Sequence, residues 1–398
     1  MKDDNIYNEI KDIDKIRFNQ VNYLTAVTNY TLHTCESIKY FDLGEKYFDN
    51  MLNDIKNAKK YIFLEYFIIS KGKLWDELFC ILKEKVKEGI EVYIITDEIG
   101  SIVRYPKNFK NDMKKYGIHL NIFNPITPVI TSYINYRDHR KITVIDGEIA
   151  YSGGVNIGDE YINKEIIHGH WKDTGIRITG SAINNYVIMF ISSWNLYNKI
   201  QLSINKYINH NNNISSTGYI IPYCDGPNDK EKPAETIYMN VINTAKDYVY
   251  ITTPYLILDN EMITSLKNAA MSGVDVRIIT PHIGDKWFVH AVTRSFYSEL
   301  LEAGVKIYEY KPGFIHSKTF VSDDEVSIIG TINLDFRSLY LHYECASYTY
   351  KTGVESDVKN DFISTQNKSI EININESKYN SFINKIIYSI LRLFAPIM

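Results

Sequence analysis

Two stretches of this chain carry apolar side chains in nearly unbroken runs. AKKYIFLEYFII begins at Ala58 and AKDYVYITTPYLI at Ala245. Runs this short, rich in aromatic and β-branched residues, predict strands buried on both faces. Each is followed by apolar positions at helical spacing, in LWDELFCILKEKVKEG and EMITSLKNAAMSG, and then by a second apolar run, IEVYIITD and VDVRIITP. The helices are predicted to stop at Gly89 and Gly273, because glycine takes the left-handed cap conformation without a Cβ penalty. Two βαβ units result. The parallel continues, since NFKNDMKKYGIHLNIFN matches SFYSELLEAGVKIYEYK as helix, glycine and strand.

A third pair of segments is matched residue by residue. HRKITVIDGEIAYSGGVN starts at His139 and HSKTFVSDDEVSIIGTIN at His316, and both read HxKxxxxD, then Gly, a small residue, any residue and Asn. One such string is an ordinary strand with polar ends. Two copies, each after the same βαβ pattern, are not explained by strand formation alone. The polar stretch NHNNNISSTG marks a boundary near residue 215. The predicted organisation is a segment 1–45, a first half 46–215 and a second half 216–398. The expected fold class is α/β, with duplicated sandwich halves related by a pseudo-twofold and one active site at their interface.

Alternate residues of a strand share a face, so His139 projects with Lys141 and His316 with Lys318. Joined at an interface, the two motifs supply two imidazoles, two ammonium groups and the amides of Asn156 and Asn333. That set suits a phosphodiester: cations and amide N–H groups meet the non-bridging oxygens, one imidazole attacks phosphorus, and the other moves the proton. Lysines and asparagines stand where a metal site would gather carboxylates, so neither metal nor cofactor is expected. Each imidazole needs a carboxylate behind it. Asp146 and Asp323 lie too far along their strands to face their own histidines and are read as structural. Asp173, in HWKDTGIRI, and Glu344, in LHYECASY, are the better candidates; they correspond in the repeat if the first copy carries a six-residue insertion after Asn156.

Composition narrows the partners. The 398 residues are 45% hydrophobic and 23% charged, as in globular chains, with a net charge of −4 that argues against a broad nucleic-acid surface. Four scattered cysteines form no disulfide framework or CxxC site. The N-terminus lacks the apolar core of a signal peptide, and no window approaches the roughly 18 apolar residues of a membrane span. The C-terminal SFINKIIYSILRLFAPIM places Ile386, Ile387, Ile390, Leu391 and Phe394 on one helical face. That face fits contact with a membrane surface and equally a last helix docked on the core.

The paired strings resemble the duplicated HKD motifs of the phospholipase D superfamily. YRDHRK, GGVNIGDEY, HWKDTGIRITG, ELLEAGVKIYEYKPGFIHSK and GTINLDFRSLYLHYE are similar to blocks of bacterial cardiolipin synthases, so that the likeness runs from about residue 45 to the C-terminus. The resemblance implies phosphatidyl transfer between two phosphatidylglycerol molecules through a phosphohistidine, on the cytoplasmic face of the cell membrane. It makes His139, Lys141, Asp146 and Asn156 one half-site and His316, Lys318, Asp323 and Asn333 the other, with His139 as nucleophile and His316 as acid and base. Lipid hydrolysis of the phospholipase D type and metal-independent nuclease action use the same residues, and a decayed, non-catalytic scaffold would keep the fold. The sequence departs from the family in WKDTG, where Gly175 occupies a position at which histidine is common, and in the absence of the transmembrane helices with which many such synthases begin.

Overall fold

The computed structural model describes residues 4–126, 132–209, 217–374 and 390–393. Both βαβ patterns become the centres of sheets. In the first half, β1 (Ser37–Phe41), β2 (Tyr61–Tyr66), β3 (Glu91–Asp97), β4 (His119–Phe123), β5 (Lys141–Ile145), β6 (Ile149–Gly153) and β7 (Gly175–Thr179) lie in the order β1-β7-β6-β5-β2-β3-β4. In the second, β8 (Tyr219–Asp225), β9 (Tyr248–Thr252), β10 (Asp275–Pro281), β11 (Lys306–Tyr310), β12 (Thr319–Ser322), β13 (Val326–Gly330) and β14 (His342–Tyr350) repeat it as β8-β14-β13-β12-β9-β10-β11. The short strands His33–Thr34 and Ser369–Glu371 extend the second sheet at its two edges.

The apolar runs form the central strands because both their faces are covered. Every residue of β2 is buried. Leu74, Trp75, Leu78 and Leu82 of the helix Lys73–Lys87 belong to the core cluster on one side, and on the other Phe190 of the helix Ile183–Tyr197 stacks on Phe63 at 4.1 Å. Gly89 and Gly273 take φ of 86° and 98° just past their helices, as a left-handed stop requires. The duplicated α/β architecture is therefore as expected.

The domain limits differ from the expectation. β1 precedes residue 46 and belongs to the first sheet. The helices Asp4–Ile13 and Lys15–Thr28 serve the second half, where Gln20 donates to Thr244 Oγ1 at 3.0 Å and accepts from Tyr348 at 2.7 Å. A five-residue edge strand without an unbroken apolar run gave no signal. The boundary near residue 215 falls outside the described residues, as do Ile386, Ile387 and Phe394. Of the C-terminal face, Ile390 is exposed and Leu391 packs against the core; Arg392 bonds Glu299 at 2.9 Å and the Ser295 carbonyl at 2.7 Å.

At the junction of the halves the backbone shows the same contact twice. The His139 N–H donates to the Tyr343 carbonyl at 2.9 Å, and the His316 N–H to the Lys172 carbonyl at 2.7 Å. Each motif is thereby fixed against the residue that precedes the other half's candidate carboxylate.

Candidate active site

The crossed backbone contacts dictate crossed side-chain pairs. His139 Nδ1 lies 2.8 and 3.0 Å from the two carboxylate oxygens of Glu344, and His316 Nδ1 lies 2.6 Å from Asp173 Oδ2. Each imidazole is oriented by the opposite half. An ionised carboxylate only accepts, so Nδ1 carries the proton and each neutral ring keeps the Nε2 lone pair available.

The carboxylates are anchored differently. Glu344 accepts from the Thr331 and Ser338 hydroxyls, the latter at 2.7 Å. Asp173 accepts from the Thr174 N–H at 2.9 Å, and the Trp171 indole N–H reaches it at 3.5 Å. Gly154 stands where the second copy has Thr331, and a Cβ there would run into Asp173 Oδ1. The small residue of each motif thus either clears the way for its carboxylate or bonds it.

Burial sets the protonation. It pushes the imidazoles of His139 and His316 below the ordinary value, an effect the neighbouring lysines reinforce and the carboxylates only partly oppose. Burial likewise lowers Lys141 to about 8 and Lys318 to about 7, Lys141 adding to the effect on Lys318. Burial alone would raise Glu344 and Asp173, but the histidine each one bonds and the neighbouring lysine together outweigh it and hold both below the carboxylate range. Each lysine donates to the carbonyl of its own motif histidine, Lys141 at 2.5 Å. Asn156 bonds the Ile68 N–H at 3.0 Å and the Tyr161 hydroxyl at 2.9 Å, whereas Asn333 Oδ1 is buried with no hydrogen-bond partner among the described residues.

The aspartates of the two strings are not among these groups. Asp146 accepts the N–H groups of Lys59, Lys60 and Tyr61 at 2.7, 2.7 and 2.9 Å, and Asp323 those of Lys246, Asp247 and Tyr248 at 2.9, 3.0 and 3.0 Å. Both adopt left-handed φ, 58° and 54°, at the turn that leaves the motif strand. They tie that turn to the entry of β2 and of β9. Counting Asp146 and Asp323 with the reacting groups is corrected accordingly: at about 3.3 Å per residue the strand carries them well away from the histidines.

Both histidines, both asparagines and His342 open onto one cleft of about 680 Å³. Its walls mix apolar side chains, Phe67, Ile68, Trp171, Tyr255, Ile257 and Phe314 among them, with charged ones such as Arg104, Glu160, Asp285 and Lys286. His342 escaped the sequence reading. Its ring lies 5.5 Å from that of His139, its Nδ1 approaches Glu344 Oε1 at 3.8 Å, and neither nitrogen has a hydrogen-bond partner among the described residues. His139, His342 and Glu344 are the group among the described residues close enough to share a metal ion. The Glu344 carboxylate is, however, already engaged by Thr331, Ser338 and His139.

Comparison with known proteins decides the family. A family model described as cardiolipin synthase, PLD-like domain matches residues 51–174 and again 238–365. The chain belongs to the cardiolipin synthase family of the phospholipase D superfamily. It is 36% identical to cardiolipin synthase 2 of Staphylococcus epidermidis over 97% of its own length and 78% of the relative's. To a cardiolipin synthase of Clostridium perfringens it is 35% identical, over 99% and 82%. The fold superposes on phosphatidylserine synthase of Haemophilus influenzae with a TM-score of 0.70 at 14% identity, covering 97% of this chain and 100% of that one. Membership makes the protein a phosphatidyltransferase acting on phospholipid. At Gly175 a Cβ would lie 2.6 Å from the ring of Tyr47, which is fully buried. No helix among the described residues is long and apolar enough to cross a membrane.

Proposed function

We propose that the protein condenses two phosphatidylglycerol molecules into cardiolipin and glycerol, with His139 as the covalent nucleophile. His139 Nε2 attacks phosphorus of the first lipid, the bond from phosphorus to the glycerol oxygen breaks, and His316 protonates the departing alkoxide. His316 then takes the proton from a terminal hydroxyl of the second lipid, whose oxygen attacks phosphorus and breaks the P–N bond. Lys141 and Lys318 offset the charge that builds on the non-bridging oxygens. A phosphodiester anion entering the cleft raises the pKa of His316, so binding itself charges the acid.

The crossed pairs carry this reading: two neutral imidazoles, each backed by a carboxylate, open onto a single cleft. The apolar part of the walls suits acyl chains, and the net charge of −4 disfavours a nucleic-acid backbone. Purified protein incubated with phosphatidylglycerol vesicles is expected to release glycerol and cardiolipin in equal amounts. Phosphatidic acid as the main product would replace the transferase reading with hydrolysis.

A further inference from the structure

We propose that the rim of the cleft is the surface on which the protein lies against an anionic lipid bilayer, an inference that rests on the lipid-transfer reading above. Four chain segments supply both the walls and the mouth. Ile99, Ile134, Ile167 and Phe288 line the cleft and remain 37–49% exposed. Within four residues of three of them in sequence, and outside the lining, stand Val103, Ile166 and Trp287, exposed by 88%, 77% and 80%. Ile102 and Ile283 add to the same segments at 46% and 40%.

Apolar side chains so exposed, gathered around one opening, are a contact surface in want of a partner. Continuity identifies that partner. Ile167 and Phe288 of the rim line the same cleft as Ile68, Ile257 and Phe314, with Arg104, His168, Asp285 and Lys286 interspersed among them. A two-chain lipid rising from a bilayer held at the rim would keep much of its acyl surface against these apolar side chains, with its headgroup among the polar ones. The same lipid reaching the cleft through solvent would expose every methylene to water. Lys164 and Lys286 are exposed beside Ile166 and Trp287 and favour anionic headgroups, although Glu165 and Asp285 stand next to them, so the apolar contact dominates. Tryptophan also partitions to the depth of lipid headgroups.

Trp287 is a built-in reporter, because Trp75, Trp171 and Trp194 are buried. With vesicles of equal parts phosphatidylglycerol and phosphatidylcholine, Trp287 emission is expected to shift to the blue, lose its access to iodide and be quenched by brominated acyl chains. Trp287→Phe should abolish the blue shift and the change in iodide access, leaving only such quenching as reaches Trp171 in the cleft wall. A Val103→Glu, Ile166→Glu, Trp287→Glu variant should sediment with vesicles at least about tenfold more weakly, while its turnover of a short-chain, water-soluble phosphatidylglycerol stays at the wild-type rate. The proposal is overturned if the protein sediments with vesicles while Trp287 stays open to iodide, or if the triple variant binds vesicles like wild type. It is likewise overturned if the blue shift arises on concentrating the protein without vesicles, which would assign the rim to a second copy. Quenching by brominated lipid in a protein that turns over no lipid would refute the transfer reading and leave the docking surface standing.

Discussion

Because the carboxylates cross the interface, a lesion in one half is expected to disable the histidine of the other. Glu344→Gln keeps the shape of the side chain and removes its charge. His139 then loses the partner at 2.8 and 3.0 Å that fixes its tautomer and stabilises the positive charge it acquires on bonding phosphorus. Glutamine can also present its N–H₂ to Nδ1, which would place the ring proton on Nε2 and block attack. When the carboxylate of a catalytic triad becomes an amide, rates fall by about 10²–10⁴, or about 3–5 kcal/mol of transition-state stabilisation, and a loss in this range is expected here. Asp173→Asn should have the complementary effect through His316. The two are separated by an activated substrate, a phosphatidyl ester of nitrophenol, whose leaving group needs no general acid. Asp173→Asn and His316→Ala should keep a burst of nitrophenolate, and Glu344→Gln and His139→Ala should lose it. The reasoning is refuted if Glu344→Gln keeps the burst while Asp173→Asn loses it, or if either variant turns over phosphatidylglycerol within threefold of wild type.

Asp146→Ala removes three hydrogen bonds from backbone N–H groups and places alanine at a φ of 58°, so a loss of about 2–4 kcal/mol is expected in denaturant unfolding. The activity per folded molecule should change by less than about twofold, because the carboxylate lies outside the site. Gly154→Ala should do the reverse, displacing Asp173 and lowering turnover at least about tenfold while leaving unfolding nearly cooperative as before. The lysine cations are lost as pH rises, and burial brings that loss down to about 7 for Lys318 and about 8 for Lys141. Consequently kcat/KM for a soluble substrate, which reports the free enzyme, should fall through this range. A profile flat to pH 9.5 would contradict it.

The duplication was legible because apolar runs and strand alternation are local properties. HxK placed imidazole and ammonium on one face, and alternation alone separated Asp146 and Asp323 from the site, against the role the family motif assigns them. Asp173 and Glu344 were found by their position after each motif. Their crossing was not legible: it comes from two strand edges brought together across 143 and 205 residues of chain, which no local pattern encodes. His342 has no partner in sequence to mark it, and its proximity to His139 follows from the parallel pairing of Arg137–Asp138 with His342–Tyr343. The rim was hidden for a related reason. Val103, Ile166 and Trp287 belong to short apolar pairs or to a helix start that sequence alone assigns to the core, and only their exposure around one mouth gives them meaning.

The central claim is that one site, assembled from both halves, transfers a phosphatidyl group through His139. Its most direct test is peptide mass spectrometry of the His316→Ala variant, mixed with the nitrophenyl phosphatidyl ester and quenched at high pH, where phosphohistidine survives. The account predicts a phosphatidyl adduct on the peptide containing His139, absent when Glu344 is also glutamine. An adduct on another residue, or turnover of the ester with none, would contradict it.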